Sequence, residues 1–129
     1  MSNLQPEVVA FATTYTRSLD DLQVLMACLE ARDRWWDAGG MARHLSIGLS
    51  AARHALDRLA GRNLLDIRVT GDVRYQFNPG TPELESAALA CASAYHAHPV
   101  AVVQLVAGES RRPLRDFADA FRFRDDDDR

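Results

Sequence analysis

The chain has 129 residues, 47% of them hydrophobic, and a formal charge of −3, enough for one packed domain and a short appended element but not for two independent domains. All fifteen basic residues are arginine, and between Leu19 and Pro79 eight Arg are matched by eight Asp and Glu. The strongly basic balance of many nucleic-acid binders is therefore missing. Cys28 and Cys91 lie far apart with no Cys-x-x-Cys, and no apolar run approaches the roughly 18 to 20 residues of a membrane span. A soluble, cytoplasmic protein with two buried thiols, no secretory leader and no membrane segment is expected.

Pro6 and Glu7 open a predicted helix whose Val8, Val9, Phe11, Ala12 and Tyr15 supply apolar surface. Ser18 caps the next, residues 19 to 32, where Leu22, Leu25, Met26 and Leu29 recur at helical spacing and Asp20 and Asp21 favour the positive N-terminal end. Trp35 and Trp36 follow, and paired aromatics between core helices are expected to supply buried area. Asp37 fits an N-cap for residues 38 to 46. Gly39 and Gly40 each cost roughly 1 kcal/mol relative to Ala inside a helix, which predicts a helix that is short or frayed at its start.

Residues 41 to 65 carry the most information. Ala42 and Leu45 repeat along one helix, Ile47 falls in a turn, and Ala52, Leu56 and Leu59 repeat along a second. Ser46, Gly48 and Ser50 supply small or capping side chains; Gly48 is placed at the N-cap and the helix is read from about Leu49 to Arg62 or Asn63. Asn63 accepts the left-handed conformation that closes a helix. Leu65, Ile67 and Val69, then Val73, Tyr75 and Phe77, alternate with polar residues as two half-buried strands joined by Thr70, Gly71 and Asp72, and Pro79 with Gly80 stops the pair. Helix, turn, helix and hairpin make a winged helix-turn-helix: a mainly α fold with a small β-hairpin wing.

At Leu56, Leu59, Asn63, Leu64 and Leu65 the chain resembles the bacterial winged helix-turn-helix transcriptional regulators, whose second helix ends in a Leu-x-x-Leu-x-x-x-Gly-Leu-hydrophobic run. Asn63 stands where that run has Gly. Trp35-Trp36 and the closing FADAFRFR, residues 117 to 124, are similar to a group of small proteobacterial winged-helix proteins. The resemblance covers about half the chain and implies the fold and a role in transcription regulation, without naming ligand or operator.

Thr81, Pro82, Glu83 and Glu85 start a helix predicted over 82 to 97, with Leu84, Ala87, Ala88, Cys91, Ala92 and Tyr95 on one stripe. Pro99 interrupts, and the run from Val100 to Val106 is read as a further helix in preference to a buried strand. A docking helix over Pro113–Phe121 accounts for Phe117 and Phe121, and Asp125 to Asp128 read as a solvated tail. The expected organisation is a winged helix-turn-helix domain over 1–80, a C-terminal helical extension over 81–124 that packs on a second copy to form a homodimer, and a disordered acidic tail over 125–129.

Nothing points to an enzyme, a cofactor or a metal: phosphate loops, nucleophile elbows and zinc motifs are missing, and His96 with His98 lacks further ligands. The expected function is a DNA-binding transcriptional regulator reading a two-fold site in double-stranded DNA. Leu49, Ser50, Arg53 and His54 would face base edges in the major groove while Arg68 and Arg74 on the wing reach the backbone. Asp57 on the same helix repels phosphate unless Arg53 or Arg58 pairs with it. The rival reading is a protein-protein adaptor that does not bind DNA. Arg53, Arg68 and Arg74 on one open face favour the regulator; an acidic or interrupted face favours the adaptor.

Overall fold

The computed structural model describes residues 4–108. The expected docking helix over Pro113–Phe121 and the acidic tail lie outside the described residues. The chain runs α1 (Pro6–Tyr15), α2 (Leu19–Glu30), α3 (Ala38–Leu45), α4 (Leu49–Gly61), β1 (Leu65–Thr70), β2 (Asp72–Phe77) and α5 (Pro82–Ala97). A further helix, α6 (Pro99–Gly108), leaves α5 at an angle of 117°. The protein is thus mainly helical with one antiparallel hairpin. Neither α5 nor any other single described helix is long and apolar enough to cross a membrane.

The helix starts follow local capping chemistry. Ser18 accepts the amide of Asp21 at 3.1 Å, and Thr81 that of Leu84 at 3.1 Å ahead of Pro82. Asp37 accepts the amide of Gly40 at 2.6 Å. Of the two expected outcomes, short or frayed, α3 takes the first, its start being capped: a side chain at Gly40 would bring its Cβ to 2.9 Å from the capping oxygen, so glycine there lets the cap close. The helix is short, as expected, and ends at Ser46, which takes φ 57° and sends its amide back to Ala42. Gly48 is the N-cap of α4. That helix stops at Gly61, two residues before Asn63, because Arg62 already donates back into the last turn and Asn63 stands at φ 70° to redirect the chain into β1. The helix α2 likewise ends two residues early, at Glu30, in a turn where the Arg34 amide donates to the carbonyl of Ala31 at 3.0 Å ahead of the tryptophans.

α2 runs through the centre. Leu22, Val24, Leu25 and Cys28 are buried against Ala52, Ala55, Leu56 and Leu59 of α4, Leu64 and Leu65 before and in β1, Tyr75 and Phe77 of β2, and Ala88, Cys91, Val102 and Val106 of the last two helices. Fully burying a side chain such as Leu56 or Leu59 contributes about 1.5–3 kcal/mol. The C-terminal helices therefore share one core with the rest of the described chain, and Pro99 begins a helix, as expected.

Only half of the tryptophan expectation stands. Trp36 is buried and exchanges both backbone hydrogen bonds with Tyr75, at 2.7 and 2.8 Å, adding a one-residue third strand beside β2. Trp35, pointing the other way as strand alternation demands, is half-buried with the Arg68 guanidinium stacked 4.3 Å from its ring centre.

Candidate functional site: a groove between the start of α4 and the hairpin

The register Leu65↔Phe77, Ile67↔Tyr75, Val69↔Val73 puts six apolar residues on one face of the hairpin. At its base Leu65, Tyr75 and Phe77 are buried by the helices. Toward the tip the hairpin outruns the core, and Ile67, Val69 and Val73 stand 51%, 69% and 42% exposed, joined by Leu49 at 51% on α4. Between Leu49, Ile67 and Val73 runs a groove of about 500 Å³, lined also by Arg53 and Asp57 of α4, Asp72 and Tyr75 of the hairpin, and Asp37 ahead of α3.

The helix α4 is anchored from behind through Arg58 and Arg62. Asp21, 1% exposed, receives Arg58 Nε at 2.9 Å on one oxygen and Arg62 Nη1 at 2.9 Å on the other, and Arg62 also donates to the carbonyl of Tyr15 at 2.8 Å. Arg58 and Arg62 are one helical turn apart, so the pair fixes the rotation of α4 on α2 and with it the direction of Arg53 and Asp57. Asp57 is not paired by Arg53 or Arg58, as the sequence reading required. Arg58 is committed to Asp21, and Asp57 accepts the Tyr75 hydroxyl at 2.5 Å. Burial first, then this bond and the charge of Asp57, push the Tyr75 phenol up to about 12, while Arg53 pulls it down.

The structure brings together Leu49, Ser50, Arg53 and His54, all exposed on the first turns of α4. Arg68 and Arg74 do not join them. They are opposite each other in the hairpin register, on the face turned away from Ile67, Val73 and Tyr75. Arg74 is further tied to Asp72 at 3.1 Å, and Arg68 to Trp35. His44 lies against Trp36, with ring centres 5.1 Å apart. The cationic face is therefore interrupted. Three carboxylates, Asp37, Asp57 and Asp72, line the groove with one guanidinium, Arg53; Asp72 is taken by Arg74, and neither Asp37 nor Asp57 meets a cation within ion-pair distance among the described residues. Among the described residues no group of three or more His, Cys, Asp or Glu is placed to hold a metal ion.

Sequence reasoning missed the groove and the clamp behind it. Asp21 was legible in principle, since it falls in phase with Leu25 and Cys28 on the apolar stripe of α2. The exposed apolar tip was not, because alternation predicts which face is apolar and not how far the helices cover it. Compared with family models, curated proteins and solved structures, the chain matches none.

Proposed function

We propose that the chain is a winged-helix adaptor: a helix-turn-helix and hairpin whose recognition surface docks a segment of a partner protein. The observation that carries the reading is the groove itself, where three aliphatic side chains 42–51% exposed, Leu49, Ile67 and Val73, surround Asp37, Asp57 and Arg53, with Arg68 and Arg74 on the opposite face of the hairpin. Exposed apolar surface of this kind marks interaction sites. A polyanion gains nothing from two carboxylates that lack cationic partners, whereas a peptide bearing an apolar side chain and an Arg or Lys satisfies both. The proposal extends to a homodimer through α5 and α6, supported by the exposed Leu89 and Val100.

A second reading, the DNA-binding transcriptional regulator, is supported by one specific observation. Leu49, Ser50, Arg53 and His54 are exposed together at the start of α4, the end of a helix that enters a major groove. Parallel selections with the full chain, one from a random peptide library and one from random duplex DNA, separate the two. The adaptor reading expects peptides that combine an apolar side chain with Arg or Lys, their affinity loosened about tenfold by Val73→Asp, a step of roughly 1.4 kcal/mol. It is overturned by a failure to enrich such peptides. A DNA site whose affinity falls steeply with salt and is lost in Arg53→Ala would put the regulator in its place.

A further inference from the structure

The groove has a candidate occupant in the chain's own sequence. Residues 111 to 124, which lie outside the described residues, hold five arginines against two aspartates, together with Phe117, Phe121 and Phe123. That is the chemistry the groove lacks. Its walls offer Leu49, Ile67 and Val73 to aromatic rings, and the carboxylates of Asp37 and Asp57, without cations of their own, to guanidinium groups. Arginine suits this setting, because its planar donor fork satisfies a carboxylate while its stem and face pack on apolar surface.

We propose that the segment around Phe117 to Arg124 docks intramolecularly in the groove between the start of α4 and the apolar face of the hairpin. Reach permits it. The nine residues from Gly108 to Phe117 span up to about 30 Å when extended, comparable with the width of a folded chain of about 100 residues, whose radius of gyration is about 13 Å. Tethering also keeps the segment at a high local concentration, so modest contacts suffice. A partner peptide must then displace the segment, which makes the C-terminal sequence a built-in competitor for the adaptor surface. The inference rests on the groove being a peptide-docking surface.

The test is a spin label on the full chain. Cys28 and Cys91 are buried, with thiols pushed up to about 12 and about 11 by burial, so a thiol-directed nitroxide reacts with the introduced cysteine of Ala118→Cys and spares them. In the nitrogen-15 spectrum the amides of Leu49, Arg53, Ile67 and Val73 are expected to broaden selectively, and the broadening is expected to vanish when Phe117→Ala and Phe121→Ala are added. An unbroadened groove, or broadening centred on another surface, overturns the proposal. So does broadening that passes between molecules in a mixture of labelled unenriched and unlabelled enriched chains, which would make a second copy the occupant. Without the label, Phe117→Ala/Phe121→Ala is expected to bind the selected peptides at least threefold more tightly than the parent. Retained broadening with no peptide selected sinks the adaptor reading alone; selected peptides with no broadening sink this inference alone.

Discussion

A carboxylate removed from water costs several kcal/mol unless its charge is met, and Asp21 meets it with two guanidinium groups, one on each oxygen. Arg58 and Arg62 keep part of their surface in solvent, which screens the attraction but leaves the carboxylate with no alternative partner in the core. Asp21→Asn is expected to lower the free energy of unfolding by about 2–3 kcal/mol, seen as a lower urea midpoint at unchanged slope. A loss below about 0.5 kcal/mol would mean that the pair behaves as a surface bridge. From the sequence this role was hidden by its neighbour: Asp20 and Asp21 together fit the positive end of α2, and that dipole argument holds for Asp20, which is half-buried. The helical phase of Asp21 with Leu25 was the available signal.

At the scale of elements, the joint between α3 and α4 decides what the start of α4 presents. Ser46 adopts the left-handed conformation that lets Ile47 turn back onto the carbonyl of Ala42, a geometry costing an L residue roughly 1–2 kcal/mol. Ser46→Val adds a β-branch to that strained position and is expected to lose about 1–2 kcal/mol. Ser46→Gly, which relieves strain but frees the unfolded chain, is expected to stay within about 0.5 kcal/mol of the parent. Thermal unfolding of the two variants checks this, and equal losses would place the strain elsewhere. The starts of α2, α3 and α5 were legible in Ser18, Asp37 and Thr81 because a cap is a local bond, and that of α4 in Gly48, which caps with no side-chain bond. The hairpin was legible in its alternation and in Gly71, which takes φ 99°. What local chemistry does not contain is the position of one element over another. The overhang of Val69 and Val73, and the separation of Arg53 from Arg68 and Arg74 by the thickness of the hairpin, arise only from packing. The sequence shows that Leu49, Ser50, Arg53 and His54 share the first turns of α4 and that Arg68 and Arg74 share the outer face of the hairpin, but whether the two sets form one open face is left to packing, and here they do not.

Across the whole molecule, the shared core has a measurable alkaline signature. Burial raises the Cys28 thiol from its ordinary value of 9.0 to about 12 and that of Cys91 to about 11. The Tyr75 phenol moves from 10.0 to about 12, first through burial and then through its bond to Asp57. In all three the folded state holds the proton more tightly than the unfolded chain. Their contribution is fully present below about pH 9. It is lost progressively as the unfolded chain ionises first, from about pH 9 for the thiols and about pH 10 for the phenol, until the folded groups follow at about pH 11 to 12. Urea midpoints should be flat between pH 7 and 8 and decline from about pH 9 to 11. Tyr75→Phe should leave the early part of that decline intact and make the part above pH 10 shallower, the two thiols still contributing there. The same burial predicts that Ellman's reagent at pH 8 modifies Cys28 and Cys91 only as fast as the core opens, since the thiolate is the reacting species and both thiols stay protonated while folded. Because Cys28 lies on α2 and Cys91 on α5, equal slow rates at the two sites would show that the C-terminal helices unfold together with the central one. Rapid modification of Cys91 alone would show that α5 and α6 open separately from the core around α2 and α4.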